Sequence, residues 1–193
     1  VTDLLITKAD LDENNVYKHS RDIECDGAIT FAPHLGTVYV DGSIRAAGPL
    51  AVGAGTAIDA GGAIKAGMSI TAHSSLAAGW SIQAGWSIAV GESIKAGGSI
   101  AADGSIESGR SIEAGWTIEA GGSLKARGAI EAGRSINAGL GISAKHVSAG
   151  LRIFAGLCPW RLPTPEECEI RAEVRGGEVV HGTVVEPEIV HDA

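Results

Sequence analysis

Aromatic residues are scarce in this chain. Four tryptophans, two tyrosines and two phenylalanines amount to 4% of 193 residues, so a core filled by aromatic rings is excluded. Cysteine is scarce too: three residues cannot all pair, and Cys25 lies far in sequence from Cys158 and Cys168. That usage predicts reduced thiols in a cytoplasmic protein, with a Cys158–Cys168 bridge across CPWRLPTPEEC as the competing reading. No eighteen apolar residues run together, so no membrane-spanning helix is expected. The stretch VTDLLITKADLDENN has no basic region followed by an apolar run, and no secretory signal is expected in it. A basic stripe is missing as well, which argues against direct binding of nucleic acid.

Glycine is what the chain has instead, 28 residues within a hydrophobic fraction of 45% that argues against disorder. The glycines are periodic. Gly79 to Ile100 reads GWSIQAGWSIAVGESIKAGGSI, one pattern of six residues repeated with small changes. From Ile58 to Ile142 a large aliphatic residue falls at every sixth position without a slip. The same spacing joins Ile23 to Ile29, and Val38 through Ile44 to Leu50. Three extra residues separate Ile29 from Val38, two separate Leu50 from Ile58, and one is lost between Ile142 and Val147.

A helix cannot use this spacing, because six steps of about 100° spread the isoleucines around the cylinder instead of along a stripe. A collagen-like assembly needs glycine at every third residue, not every sixth. A short strand, Ser-Ile-x-Ala, followed by a glycine corner does fit. Alternation points Ile and Ala to one side and Ser and x to the other, and glycine supplies the bend. One such strand cannot bury its isoleucine alone, whereas coils stacked about 4.8 Å apart build a continuous core. The fold class expected is all-β: a single-domain parallel β-solenoid (β-helix). Its cross-section is triangular with about 18 residues per coil, with a two-sided coil of twelve as the alternative. Residues 1–22 are expected to cap one end, 23–157 to form the solenoid, and 158–193 to make a strand-rich arm or cap. In that last segment CEIRAEVRGGEVVHGTVVEPEIV reads as a β-hairpin turning at Gly176-Gly177.

From Ile23 to Phe154 the repeat resembles the hexapeptide repeats of left-handed β-helix acyltransferases, and its gapless coils resemble the bactofilins, polymer-forming bacterial β-helix proteins. It departs from the hexapeptide phase: the small residue follows two places after the aliphatic (Ala84 after Ile82, Ala96 after Ile94) instead of four. The acyltransferase likeness implies a histidine base in a cleft, aided by a projecting loop. Only His73 and His146 lie near the coils, neither with a carboxylate at a telling sequence spacing, and the body has no long loop. Both histidines read as surface residues. No catalytic residue, metal site or cofactor is therefore assigned. CPWRLPTPEEC lacks the second cysteine pair of a zinc site, and GAGTAIDAGG lacks the lysine of a phosphate loop.

The position two before each aliphatic holds Trp80, Trp86, Glu92, Arg110, Trp116 and Arg134 along with glycines, so it must be an exposed corner. With 18 residues per coil, Trp80, Gly98, Trp116 and Arg134 share one edge, with Trp86 on the next. Arg134 above Trp116 predicts a cation–π contact. Either these rings lie flat and shield neighbouring glycines, or they bind a partner. The outward strand positions form ladders of mixed sign, Lys95 with Glu113 and Glu131, and Glu107 with Lys125. The net charge of −8 sits at the ends. Residues 58–142 carry seven acids against six bases, residues 1–37 seven against three, and residues 158–193 eight against three.

The sequence reading is thus a non-enzymatic structural or interaction protein, acting by self-assembly or by docking a protein partner. The candidate partner-binding residues are Trp80, Trp86, Trp116 and Arg134 on the rod and Glu166, Glu167 and Glu169 in the acidic arm. The alternative is an inhibitor that blocks a basic partner through its acidic ends. A hexapeptide-type acyltransferase ranks below both.

Overall fold

A computed structural model describes residues 2–186. Those residues form one parallel β-solenoid, and every pairing between its strands is parallel. Each Ser-Ile-x-Ala unit is a three-residue strand whose first and third residues point inward, as in Ile82–Ala84 and Ile94–Ala96. The chain bends after each strand, so three strands make a triangular coil. Residue n stacks on residue n+18: Ile58 on Leu76, Leu76 on Ile94, Ile94 on Ile112, and Ile112 on Ile130. The twelve-residue coil is excluded by this register.

Face 1 carries that column and continues to Val147. Face 2 carries Ile64, Ile82, Ile100, Ile118, Ile136 and Ile153. Face 3 carries Ile70, Ile88, Ile106, Leu124, Ile142 and Ile170. From Ile64 to Ile136 every aliphatic of these columns is fully buried, and the residue two places on, alanine except at Val90 and Ser108, lies beside it. Each buried isoleucine removes enough apolar surface to contribute roughly 1.5–3 kcal/mol, so the tube needs no aromatic filling.

The irregular steps of the sequence all fall at corners. Ile44 stacks on Ile64 at a spacing of 20, and Ile23 on Ile44 at 21. The extra residues widen one corner, where His34, Gly36 and Gly55 adopt positive φ and the hydroxyl of Thr56 accepts from Leu35 N and donates to Ala32 O. At the N-terminal end, the strand Leu4–Ile6 stacks on face 3, and the chain then runs to a bridge between Val16 and Tyr39 on face 1. Leu11, carried on that crossing, is 5% exposed and plugs the open core. Three acids of this segment accept from backbone donors: Asp3 from Ala28 N, Asp12 from Asn14 N and Val16 N, and Asp22 from Ser43 N.

At the other end, one long strand, Ile142–Ala155, wraps all three faces, and Glu169–His181 stacks upon it. The sequence reading of Gly176-Gly177 as a hairpin turn is corrected here. Both glycines lie inside the strand Glu169–His181, where Gly177, at φ 90°, makes a solenoid corner over Ala149. The last strand pair among the described residues is Glu169–His181 with Thr183–Val185, joined through Gly182 and registered Glu169 on Thr183. The apolar alternation that suggested a hairpin is the same alternation that serves a further coil. All three thiols are free.

Candidate functional site

The corner two before each face 2 isoleucine is a continuous edge. Backbone bonds link Trp80 N to Gly62 O, Gly98 N to Trp80 O, Trp116 N to Gly98 O, Arg134 N to Trp116 O, and Leu151 N to Arg134 O. The stack predicted for Trp80, Gly98, Trp116 and Arg134 is therefore present, and Leu151 extends it. Trp86 stands on the next edge, above Met68. Trp80 is 72% exposed, Trp86 60% and Trp116 61%. The Arg134 guanidinium carbon lies 5.8 Å from the centre of the Trp116 ring, within cation–π range.

The choice between shielding and display turns on what covers the glycines. A methyl carbon placed on Gly98 would meet Ser81 Oγ and the Trp80 carbonyl first, not an indole ring. Placed on Gly121, it would meet the ring of Trp160 at 2.6 Å. The tryptophan that lies over glycine is thus Trp160, which the sequence reading passed over because it falls outside the repeat. Trp80, Trp86 and Trp116 are displayed.

The charge ladders form as expected and stay solvent-exposed: Lys95 with Glu113 at 3.4 Å, Lys125 with Glu107 at 3.7 Å, and at a corner Arg110 with Glu92 at 3.7 Å. Each contributes little. The acidic C-terminal candidates are mostly matched within the chain. Glu167 accepts two bonds from Arg161, at 2.6 and 2.5 Å, and a third from Thr164 N. Glu169 accepts from Arg171 Nε at 2.7 Å. Glu166 lies beside them in the 3-10 turn Pro165–Cys168. Glu167 and Glu169 are thus paired to arginines that the count of eight acids against three bases in residues 158–193 already includes.

The pairing with Arg161, followed by the bond from Thr164 N, holds the Glu167 carboxyl at about 2. Because the folded value lies below the ordinary 4.5, its support for the loop 157–168 is complete above 4.5 and is lost as the pH falls toward 2. In a variant with Trp80, Trp86 and Trp116 changed to Phe, acrylamide quenching of Trp160 is expected to rise across that window. Glu167→Gln should show the high quenching at neutral pH.

One histidine expectation is corrected. His146 does have a carboxylate: its Nε2 is 3.5 Å from Glu131 Oε1, and Glu173 is its register partner on the coil above. Its Nδ1 is buried without a partner. The pair is hard to see in sequence because it is diagonal: His146 is registered on Ala129, at an interval of 17, and Glu131 on Ser148. His73 instead sets Nδ1 at 3.3 Å from the Val52 carbonyl. Among the described residues no group of three or more His, Cys, Asp or Glu is placed to hold a metal ion, and no helix is long and apolar enough to cross a membrane.

A wall missing from the body is supplied from beyond it. Leu157, Pro159 and Trp160 fold back alongside face 2 and turn its outer surface into an open groove of about 550 Å³. Comparison with family models, with curated proteins and with solved structures finds no match for this chain.

Proposed function

We propose that this chain is a non-enzymatic structural protein, a rigid β-solenoid that works by protein–protein contact, with a second copy of itself as the first partner. The observation that carries this reading is the display of Trp80, Trp86 and Trp116 at 60–72% exposure on adjacent corners of one frame. Tryptophan and arginine are the residues over-represented where interfaces hold most of their binding energy, and here Arg134 already sits on Trp116. Holding them on stacked strands removes the ordering cost that a loop would bring to binding. The gapless coils, by which the chain resembles the bactofilins, support the choice of a second copy.

Light scattering after size exclusion, across a concentration series, tests it. The unaltered chain is expected to associate with rising concentration, and Trp80→Ser/Trp86→Ser/Trp116→Ser to remain monomeric. Being exposed, each of these changes should alter stability by no more than about 0.5 kcal/mol. A wild type that stays monomeric, or a triple variant that associates equally well, overturns the reading.

A further inference from the structure

The groove on face 2 has a built wall and a graded floor. The floor is the column of outward strand positions Lys65, Gln83, Ala101, Glu119 and Asn137, one residue per coil. Their spacing is therefore the coil repeat of about 4.8 Å. Ala101 is the one rung without a long side chain, so the floor dips between Gln83 and Glu119. Trp160 closes the side at that level, its ring tip against Gly121 and 63% of its surface still open. The wall is braced by the paired bonds between Arg161 and Glu167. At the upper end Asn137 Nδ2 makes only a long 3.5 Å contact with Glu119 Oε1, and Asn137 Oδ1 is buried with no donor.

From this arrangement we propose that the groove binds a neutral oligosaccharide chain. An exposed indole ring beside a shallow apolar step offers apolar surface to the C–H groups of a sugar ring, while the sugar's hydroxyls reach water and side chains. Gln83 and Asn137 each donate and accept, Lys65 donates and Glu119 accepts, which suits hydroxyls that do both. A hydroxyl entering between Glu119 and Asn137 lets the amide turn and gives its oxygen the donor it lacks. The floor carries charges of both signs, Lys65 against Asp103 and Glu119, so it selects for neither an anionic nor a cationic polymer. A peptide is the poorer fit. Recognition of a peptide by strand addition needs free backbone groups at a sheet edge, and every strand beneath this groove is paired on both sides.

The test is calorimetric titration of the full chain with neutral hexasaccharides that differ in linkage: β-1,4-glucan, β-1,4-N-acetylglucosamine, α-1,4-glucan and β-1,4-xylan. At least one is expected to bind, and Trp160→Ala to weaken it about tenfold or more. Trp160→Tyr should restore most of the affinity, and Ala101→Arg, which fills the dip without touching the wall, should abolish binding. Trp116→Ala should change nothing, which separates this site from the corner surface proposed above. The proposal is overturned if none of the four sugars binds at millimolar concentration. It is equally overturned if Ala101→Arg binds as the unaltered chain does, or if the groove takes up an extended peptide in place of every sugar.

Discussion

Ile100→Asp is expected to abolish cooperative folding of the central coils. Ile100 is fully buried and is stacked between Ile82 below and Ile118 above, so a carboxylate there has no route to water and no partner. Ionised and unpaired, it would cost several kcal/mol, against a total stability of roughly 5–15 kcal/mol for a folded domain. The damage is not confined to one side chain. A solenoid is close to one-dimensional, each coil being held by its two neighbours, so failure in the middle leaves two shorter stacks with raw ends. The conservative change Ile100→Val removes one methylene and should cost about 0.5–1.5 kcal/mol. Chemical denaturation followed by far-ultraviolet circular dichroism measures both. A cooperative, near-native transition for Ile100→Asp would mean that the tube is wet or loosely packed at its centre.

The second large effect is expected at a corner. Gly79, Gly97, Gly115, Gly133 and Gly150 form an uninterrupted column between faces 1 and 2. A methyl carbon on Gly97 would lie 2.2 Å from the Gly79 carbonyl oxygen, and one on Gly115 would lie 2.1 Å from that of Gly97. Gly97→Ala therefore has to push the coils apart at the point where Gly97 N bonds Ala78 O at 3.0 Å. The neighbouring column does admit side chains. At Asp103 the N–O distance to Ala84 is 3.3 Å, against 3.1 Å from Gly85 to Ala66 on the coil below and 3.0 Å from Gly121 to Ala102 on the coil above, while Ala47, lower in the same column, keeps 2.9 Å to Cys25. A weakened backbone bond and a displaced coil together are expected to cost about 1–3 kcal/mol, read as a lowered denaturation midpoint with unchanged slope. Gly98→Ala is the matched control. Its added carbon meets nothing closer than 3.1 Å, and the same column already carries Trp80, Trp116 and Arg134, so the midpoint should hardly move. Equal losses at Gly97 and Gly98 would show that glycine is kept at these corners for backbone freedom instead of for the close approach of coils.

The contrast between adjacent glycines marks how far a sequence can be read. Both are glycine in the same repeat, and nothing in the letters says that one is required and the other optional. The difference appears only when one coil is laid on the next. Glu131 and His146 make the same point. They are fifteen residues apart and unremarkable until stacked coils bring them diagonally to 3.5 Å. Trp160 was hidden for another reason. Periodicity identifies a side chain by its place in a repeat, and Trp160 stands in a proline-rich insertion that has no register, so its position over Gly121 follows from how the loop docks. For Glu167 and Glu169, a charge count gives the excess of acid in the segment but not that Arg161 and Arg171 face these two carboxylates.

The sequence by itself determined the coil. A six-residue period of isoleucine with alanine two places on permits one backbone solution, a stack of short parallel strands. From that solution follow the buried columns and the exposed corners, while the choice of 18 residues per coil over twelve, and with it the edge shared by Trp80, Trp116 and Arg134, rests on the register of the stacked strands. These are local and repeated constraints, each copy reinforcing the last. Only the tertiary structure decided what happens where the repeat stops: Leu11 entering the open end, Gly176-Gly177 turning a corner within a strand, and the loop 157–168 walling a groove on face 2. The physical reason is that a repeat fixes contacts between equivalent residues. Ends and insertions have no equivalents, and they are placed by whichever surface they bury.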